Sequence, residues 1–230
     1  MNKYEITKRI ENFAPPETQE EWDCSGWAVN VNGSDDINKI MLCLTVTNDV
    51  VRQAKEQNCD LIISHHPCFY IPLEWSFINI YCAHTNLDKA QGGTTDIVIK
   101  TLGLSKYTTN IKHEFLRILD YKTTIEDFNK LLKTVFPKTK LVNNDKVKEL
   151  NRIAFCAGSG SEFIGEAKDL HADCLVTGDL KFHVAIESPI VVYDIGHFES
   201  EILVLPIFEK IIGNDVKIVY ANEDSPFNLI

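Results

Sequence analysis

The chain has 230 residues, with 23 Lys and Arg against 33 Asp and Glu for a formal net charge of −10. Hydrophobic residues make up 44% and charged residues 24%, a balance that excludes disordered, collagen-like and coiled-coil chains. No stretch is rich in Lys or Arg, so the electrostatic footprint of a protein that binds duplex nucleic acid is missing, and no apolar run approaches the roughly 18 residues of a membrane span.

The opening Met1-Asn2-Lys3-Tyr4-Glu5 lacks the apolar core and cleavage site of a signal peptide. Short apolar, β-branched runs then recur and predict strands at Lys39–Leu44, Asp60–Ile63, Ile78–Ala83, Leu116–Tyr121, Lys138–Val142, Arg152–Cys156, Asp173–Val176, Ile190–Ile195 and Val216–Tyr220. Between them, Thr47 caps a helix that ends near Asn58. Thr124 opens an amphipathic helix stopped by Pro137, and Ser161 opens another through Ile164, Ala167 and Leu170. Asn143–Leu150 reads as a polar linker. Strand–helix alternation of this kind predicts an α/β fold with a largely parallel sheet. Seven cysteines form no CxxC pair, and Cys43, Cys82, Cys156 and Cys174 sit in apolar runs. They read as buried, reduced thiols of a cytoplasmic protein.

Most of these strands run into a polar cluster. Leu61 to Ile63 gives way to Ser64-His65-His66-Pro67, and Ile80 to Ala83 gives way to His84-Thr85-Asn86-Leu87-Asp88. Ile153 to Cys156 leads to Gly158-Ser159-Gly160-Ser161, Cys174 to Val176 leads to Thr177-Gly178-Asp179, and Val192 to Ile195 leads to Gly196-His197 and on to Glu201. Open α/β sheets bind ligands beyond the carboxyl ends of their strands.

Displacing the sequence on itself by 113 residues lays Asn38–Asp88 on Asn151–Glu201 without a gap. Nine of the 51 pairs are identical, including Asn38/Asn151, Cys43/Cys156, Asp60/Asp173, Phe69/Phe182 and His84/His197, where average composition gives about three. The displacement also pairs Asp88 with Glu201, so a His-x-x-x-carboxylate step occurs in both copies. Four residues is one helical turn, which lets both side chains face one way. Histidine and carboxylate suit zinc, iron, manganese or nickel. If the copies pack about a pseudo-twofold axis, these loops converge and can hold two cations, with His65 and His66 as further ligands. His113 and His171 read as solvated surface. His183 is either near the site or on the surface. The Gly158–Ser161 turn is either a plain tight turn or an anion cradle at a helix N-terminus.

In order, the motifs Trp22 to Trp27, Leu61 to Pro67, His84 to Asp88 with Gly92-Gly93, Leu102 to Leu104, Gly158 to Ser161, Thr177 to His183 and Gly196 to Glu201 resemble the GTP cyclohydrolase 1 type 2 homologue family, also called NIF-three-like proteins. The resemblance spans nearly the whole chain. It implies two interlinked α/β domains with a metal site between them, here drawn as residues 1–104 with 190–230 and residues 105–189. It further implies a ring-shaped homohexamer and two divalent metal ions held by His65, His66, Asp88, His197 and a bridging Glu201. Many relatives carry Asp where this chain has Thr45. Two metals make hydrolysis of a nucleotide or other phosphate-bearing small molecule the natural chemistry, with His84 and His183 as acid–base candidates and Gly158, Ser159, Gly160 and Ser161 as the phosphate candidate. The alternative is a non-enzymatic metal-binding regulatory or interaction protein.

Overall fold

The computed structural model describes residues 1–227. In chain order the elements are α1 (Lys3–Phe13), β1 (Gly26–Val29), β2 (Lys39–Cys43), α2 (Asn48–Glu56), β3 (Leu61–Ser64), β4 (Asn79–Cys82), α3 (Thr85–Lys89), α4 (Thr94–Thr101) and β5 (Arg117–Thr124). There follow α5 (Ile125–Val135), β6 (Lys140–Val142), β7 (Glu149–Ser159), α6 (Ile164–Asp169), β8 (Cys174–Gly178), α7 (Phe182–Glu187), β9 (Val191–Asp194), α8 (His197–Glu201), α9 (Leu205–Ile212) and β10 (Lys217–Tyr220). None of the described helices is long and apolar enough to cross a membrane.

The chain divides into two units, Met1–Gly93 with Val204–Ile230, and Thr94–Leu203. The expected division at 104/105 and 189/190 is thereby corrected. Residues 94–104 go with the second unit because Val98, Ile99, Leu102 and Leu104 pack in its core. Residues 190–203 follow because β9 pairs in parallel with β8, inside the second sheet.

The first unit carries a sheet of order β1-β4-β3-β2-β10, parallel except for the antiparallel edge strand β1, which the sequence did not reveal. Thr47 caps α2 as expected, its hydroxyl accepting from Val50 N. Val50, Val51 and Ala54 of α2 pack with Met41, Ile62 and Ile80. The second unit carries a sheet of order β5-β7-β8-β9-β6, whose three central strands are parallel. Alternation splits its core between two faces: Ile153, Phe155 and Val176 face one cluster with Phe128, and Ala154, Cys156 and Leu175 face another with Ile164 and Ala167. The linker expected at 143–150 ends early, because Glu149 and Leu150 pair with Thr124 and Thr123 and lengthen β7.

The internal repeat is a repeat of physical interactions. Asp60 accepts from Asn38 N and Lys39 N at 2.7 and 3.1 Å, and Asp173 accepts from Asn151 N and Arg152 N at 2.7 and 3.0 Å. Ile40 lies opposite Leu61, and Ile153 opposite Cys174, each displaced by 113. The left-handed residues that end α2 and α6, Asn58 and His171, also correspond. His171 is thus a turn residue, and His113 is tied down as well: its Nδ1 accepts from Phe115 N and Leu116 N while Nε2 meets Glu166.

The gapless match fails at the third strand. Leu61 lies opposite Asn79, yet its counterpart Cys174 lies opposite Val191, a displacement of 112. The connection before β9 is one residue shorter than the one before β4. Tyr81 and Tyr193 therefore correspond, both buried, each giving its hydroxyl to a side chain of a covering helix, Glu11 and Asn129. His84 then corresponds to Gly196, and His197 to Thr85. The expected equivalence of the two histidines is corrected by one residue.

Removing either strand-end carboxylate leaves two amides without their acceptor. Asp60→Ala and Asp173→Ala are each expected to lower stability by about 1–3 kcal/mol in urea unfolding. An unchanged midpoint in either variant contradicts the duplicated role.

Candidate metal centre

In the first unit the ends of β3 and β4 present three imidazoles. His65 follows the last residue of β3 and is fully buried. Its Nδ1 donates to the Ala83 carbonyl at 2.9 Å. A carbonyl can only accept, so the proton of the neutral ring sits on Nδ1 and Nε2 is the nitrogen that can coordinate. Nε2 lies 3.5 Å from Asp88 Oδ1 on α3. Adjacent residues at a strand end diverge, yet the His65 and His66 rings stay 5.2 Å apart between centroids. His66 is fastened through Nδ1 to the Thr45 hydroxyl at 2.7 Å. His84 joins them at 5.2 Å from His65 and 5.7 Å from His66. Each of the three histidines offers a ring nitrogen within 4.8 Å of those of the others, a grouping able to hold a cation.

His84 has a different second partner. Its Nδ1 meets Asp23 Oδ1 at 3.0 Å, and the Asp23 side chain has no solvent exposure. Asp23 also accepts from Thr85 N at 3.0 Å and from the Thr85 and Ser25 hydroxyls. Burial pushes the Asp23 carboxyl up, but the bonds from Thr85 and His84 outweigh it and hold the group below its ordinary range. Burial, with the neighbouring His65, lowers the His84 imidazole. The indole of Trp22 stands edge-on to the ring at 5.8 Å. The sequence shows Asp23 only as a letter in a matching motif; nothing in its spacing from His84, 61 residues on, discloses the pair.

In the second unit, α8 presents His197 and Glu201 one turn apart. His197 Nε2 lies 2.8 Å from Glu201 Oε2, and its Nδ1 lies 2.7 Å from Asp179 Oδ2. Burial works against the imidazolium, but the two carboxylates win and hold its pKa up at about 9. Gly158 has φ +67°, and a Cβ built there would lie 1.9 Å from Glu201 Oε1. Glycine suits the left-handed backbone there and leaves room for the carboxylate.

That geometry gives the Gly158–Ser161 turn another purpose than an anion cradle. Gly158 N donates to the Ser200 hydroxyl at 3.0 Å and Gly160 N to the Thr177 hydroxyl at 2.8 Å, both buried. A Cβ on Gly160 would meet Cys156 Sγ at 2.5 Å, so the residue is small to pack. His183 is exposed on α7, its ring against Phe182, and makes no hydrogen bond or ion pair among the described residues. The four cysteines expected in the interior are buried, and all seven are free thiols. Burial pushes Cys43 and Cys174 far up and Cys82 to about 12, which leaves them protonated and inert as ligands.

Two units with mostly parallel sheets, each with histidine and carboxylate at its strand ends, define the class: an α/β protein with clustered side chains that could hold a metal ion. The chain belongs to the DUF34/NIF3 family (NGG1p interacting factor 3), whose model matches residues 1–226. It is 31% identical to a GTP cyclohydrolase 1 type 2 homolog of Clostridium perfringens over the full length of both chains. A homolog of the same description from Clostridium acetobutylicum is 32% identical over 84% of this chain and 82% of its own. Among solved structures, reduced HcgD from Methanocaldococcus jannaschii matches with a TM-score of 0.81 at 25% identity, covering 96% of this chain and 97% of its own.

For the metal-free protein, the His197 pair makes stability depend on pH. A folded-state pKa of about 9 against an ordinary 6.5 means that the pair's contribution is complete below about pH 6.5 and is lost as pH rises through 9. Histidine NMR should show one imidazole titrating near 9 that returns toward 6.5 in Glu201→Gln. A wild-type spectrum in which every histidine titrates below 7 contradicts this.

Proposed function

We propose that the protein binds two divalent metal ions, through His65, His66 and Asp88 of the first unit with His197 and Glu201 of the second, and uses them as a hydrolase. The observation that carries the reading is His65: a fully buried imidazole whose Nδ1 is committed to the Ala83 carbonyl, grouped with two other histidines. Nitrogen and carboxylate donors together suit zinc, iron, manganese or nickel. The bound ions would supply Lewis-acid polarisation and a water acidic enough to ionise near neutral pH.

The chain's own residues supply proton handling. Asp23 fixes His84 through Nδ1, so Nε2 is the atom that can take or give a proton beside His65 and His66. The names of the relatives point to a nucleotide such as GTP as substrate. Self-assembly into a homohexamer belongs to the same reading. Phe69, Tyr70, Leu73 and Phe77 are exposed within nine residues of the β3–β4 connection, large apolar side chains of the kind a subunit contact would cover. Seven free thiols fit a reducing cytoplasm.

Elemental analysis of the purified chain should give close to two metal ions, and substitution in either unit, His65→Ala or Glu201→Gln, should lose metal where His113→Ala does not. Metal contents equal across the three variants refute the ligand set. With metal loaded, Asp23→Asn should lower kcat by more than about tenfold at unchanged metal content, roughly 1.4 kcal/mol of barrier. If the loaded protein turns over no nucleotide or phosphoester but binds a protein partner in proportion to its metal, the hydrolase gives way to a metal-dependent interaction module. Sedimentation at monomer mass at micromolar concentration refutes the hexamer.

A further inference from the structure

Beyond β10 the chain turns back over the carboxyl ends of the first sheet. Ala221 N donates to the Leu42 carbonyl at 2.9 Å, and Asn222 exchanges two bonds with the Gln53 side chain of α2. The next residue, Glu223, spreads its carboxylate over two consecutive amides just past β2, accepting from Leu44 N at 2.7 Å and Thr45 N at 3.0 Å. The other side of this short turn faces the histidines. The Leu44 carbonyl accepts from His66 N at 2.8 Å, and the Thr45 hydroxyl meets His66 Nδ1 at 2.7 Å.

A strand end with two outward amides needs acceptors, which by itself explains a polar partner. The second copy of the repeat shows what that need alone selects. The counterparts of Leu44 and Thr45 are Ala157 and Gly158, and their amides donate to the hydroxyls of Thr95 and Ser200 at 3.1 and 3.0 Å. Two neutral hydroxyls suffice there. In the first unit one carboxylate takes both amides, although its burial makes the charge costly. Burial raises the Glu223 carboxyl, with the two amides and the nearby His66 opposing. The first unit is also the one in which the turn holds a histidine, since Gly158 has no side chain with which to do so.

We propose that Glu223 is a positioning residue for His66: its carboxylate fixes the Leu44–Thr45 turn, and Thr45 in turn sets the orientation of the imidazole. The assignment rests on the reading of His66 as a metal ligand. It makes the segment after β10 part of the centre although it contributes no ligand. Residues that orient a ligating histidine typically govern metal affinity by about 10- to 100-fold.

The test is a competition titration of the full-length metal-free chain with Zn2+ against a chelator. Glu223→Gln and Thr45→Val should each weaken Zn2+ binding by about tenfold or more. The double variant should be no weaker than the weaker single, because both changes break one chain of contacts. Thr45→Ser, which keeps the hydroxyl, should bind within about twofold of wild type, on the same outer-contact scale. Hydrogen exchange at Leu44 and Thr45 should quicken in Glu223→Gln but not in Thr45→Val. Faster exchange with unchanged affinity, or losses that add in the double variant, reduces Glu223 to a structural cap and overturns the proposal. Thr45 is exposed, so Thr45→Val keeps the question open to test even if Glu223→Gln does not fold; wild-type affinity in that variant also overturns it. His66→Ala separates the two readings. If it binds Zn2+ as wild type does, the ligand assignment fails and the positioning role with it. If it loses Zn2+ while Glu223→Gln does not, only the positioning role fails.

Discussion

The bond from His65 Nδ1 to the Ala83 carbonyl decides what the strand ends of the first unit can do. It links the residue after β3 to the residue after β4, and so depends on the parallel register that places Ser64 opposite Cys82. It also sets the tautomer through the backbone, since a carbonyl oxygen can only accept and so keeps the proton of the neutral ring on Nδ1. Sheet register, a buried backbone oxygen and the ligand form of one imidazole are thus a single fact seen at three levels.

The two units solve the same problem with different chemistry. Both use an aspartate to gather two amides at the start of a neighbouring strand, and α2 and α6 both end on a left-handed residue. They part at the third strand, where one residue fewer in the connection turns the following helix relative to its counterpart's sequence. His84 becomes the residue before α3, free to reach Asp23, while His197 becomes the first residue of α8 and pairs with Glu201 one turn on. A duplicated scaffold with a single-residue slip yields a histidine oriented by a buried acid in one unit and a histidine held between two acids in the other.

Much of this was legible in the sequence because it is local. The β-branched runs marked nearly every parallel strand, Thr47 and Thr124 marked helix starts, and the polar clusters marked the carboxyl ends. The antiparallel edge strand β1 escaped because Gly26 to Val29 is too short to show alternation. The slip in the repeat escaped because the displacement of 113 carries nine identities, His84 with His197 among them, and these mask the match of Tyr81 with Tyr193 one register away. Asp23, Asp179 and Glu223 escaped for a common reason. Each acts on a group far along the chain, through one contact that no spacing rule encodes. Gly158 was noticed as part of a turn, plain or anion-binding, and its contact with the Glu201 side chain could not be read from spacing.

That last arrangement makes two distant positions unequal partners. A side chain at 158 would meet the carboxylate at 201, whereas the left-handed backbone at 158 asks for glycine whatever stands at 201. Glycine near the end of the seventh strand is therefore held twice, by its own backbone and by its neighbour, and the acid only once. Relatives that keep the fold but drop the acid should change first at 201, and the glycine should outlast the carboxylate it makes room for.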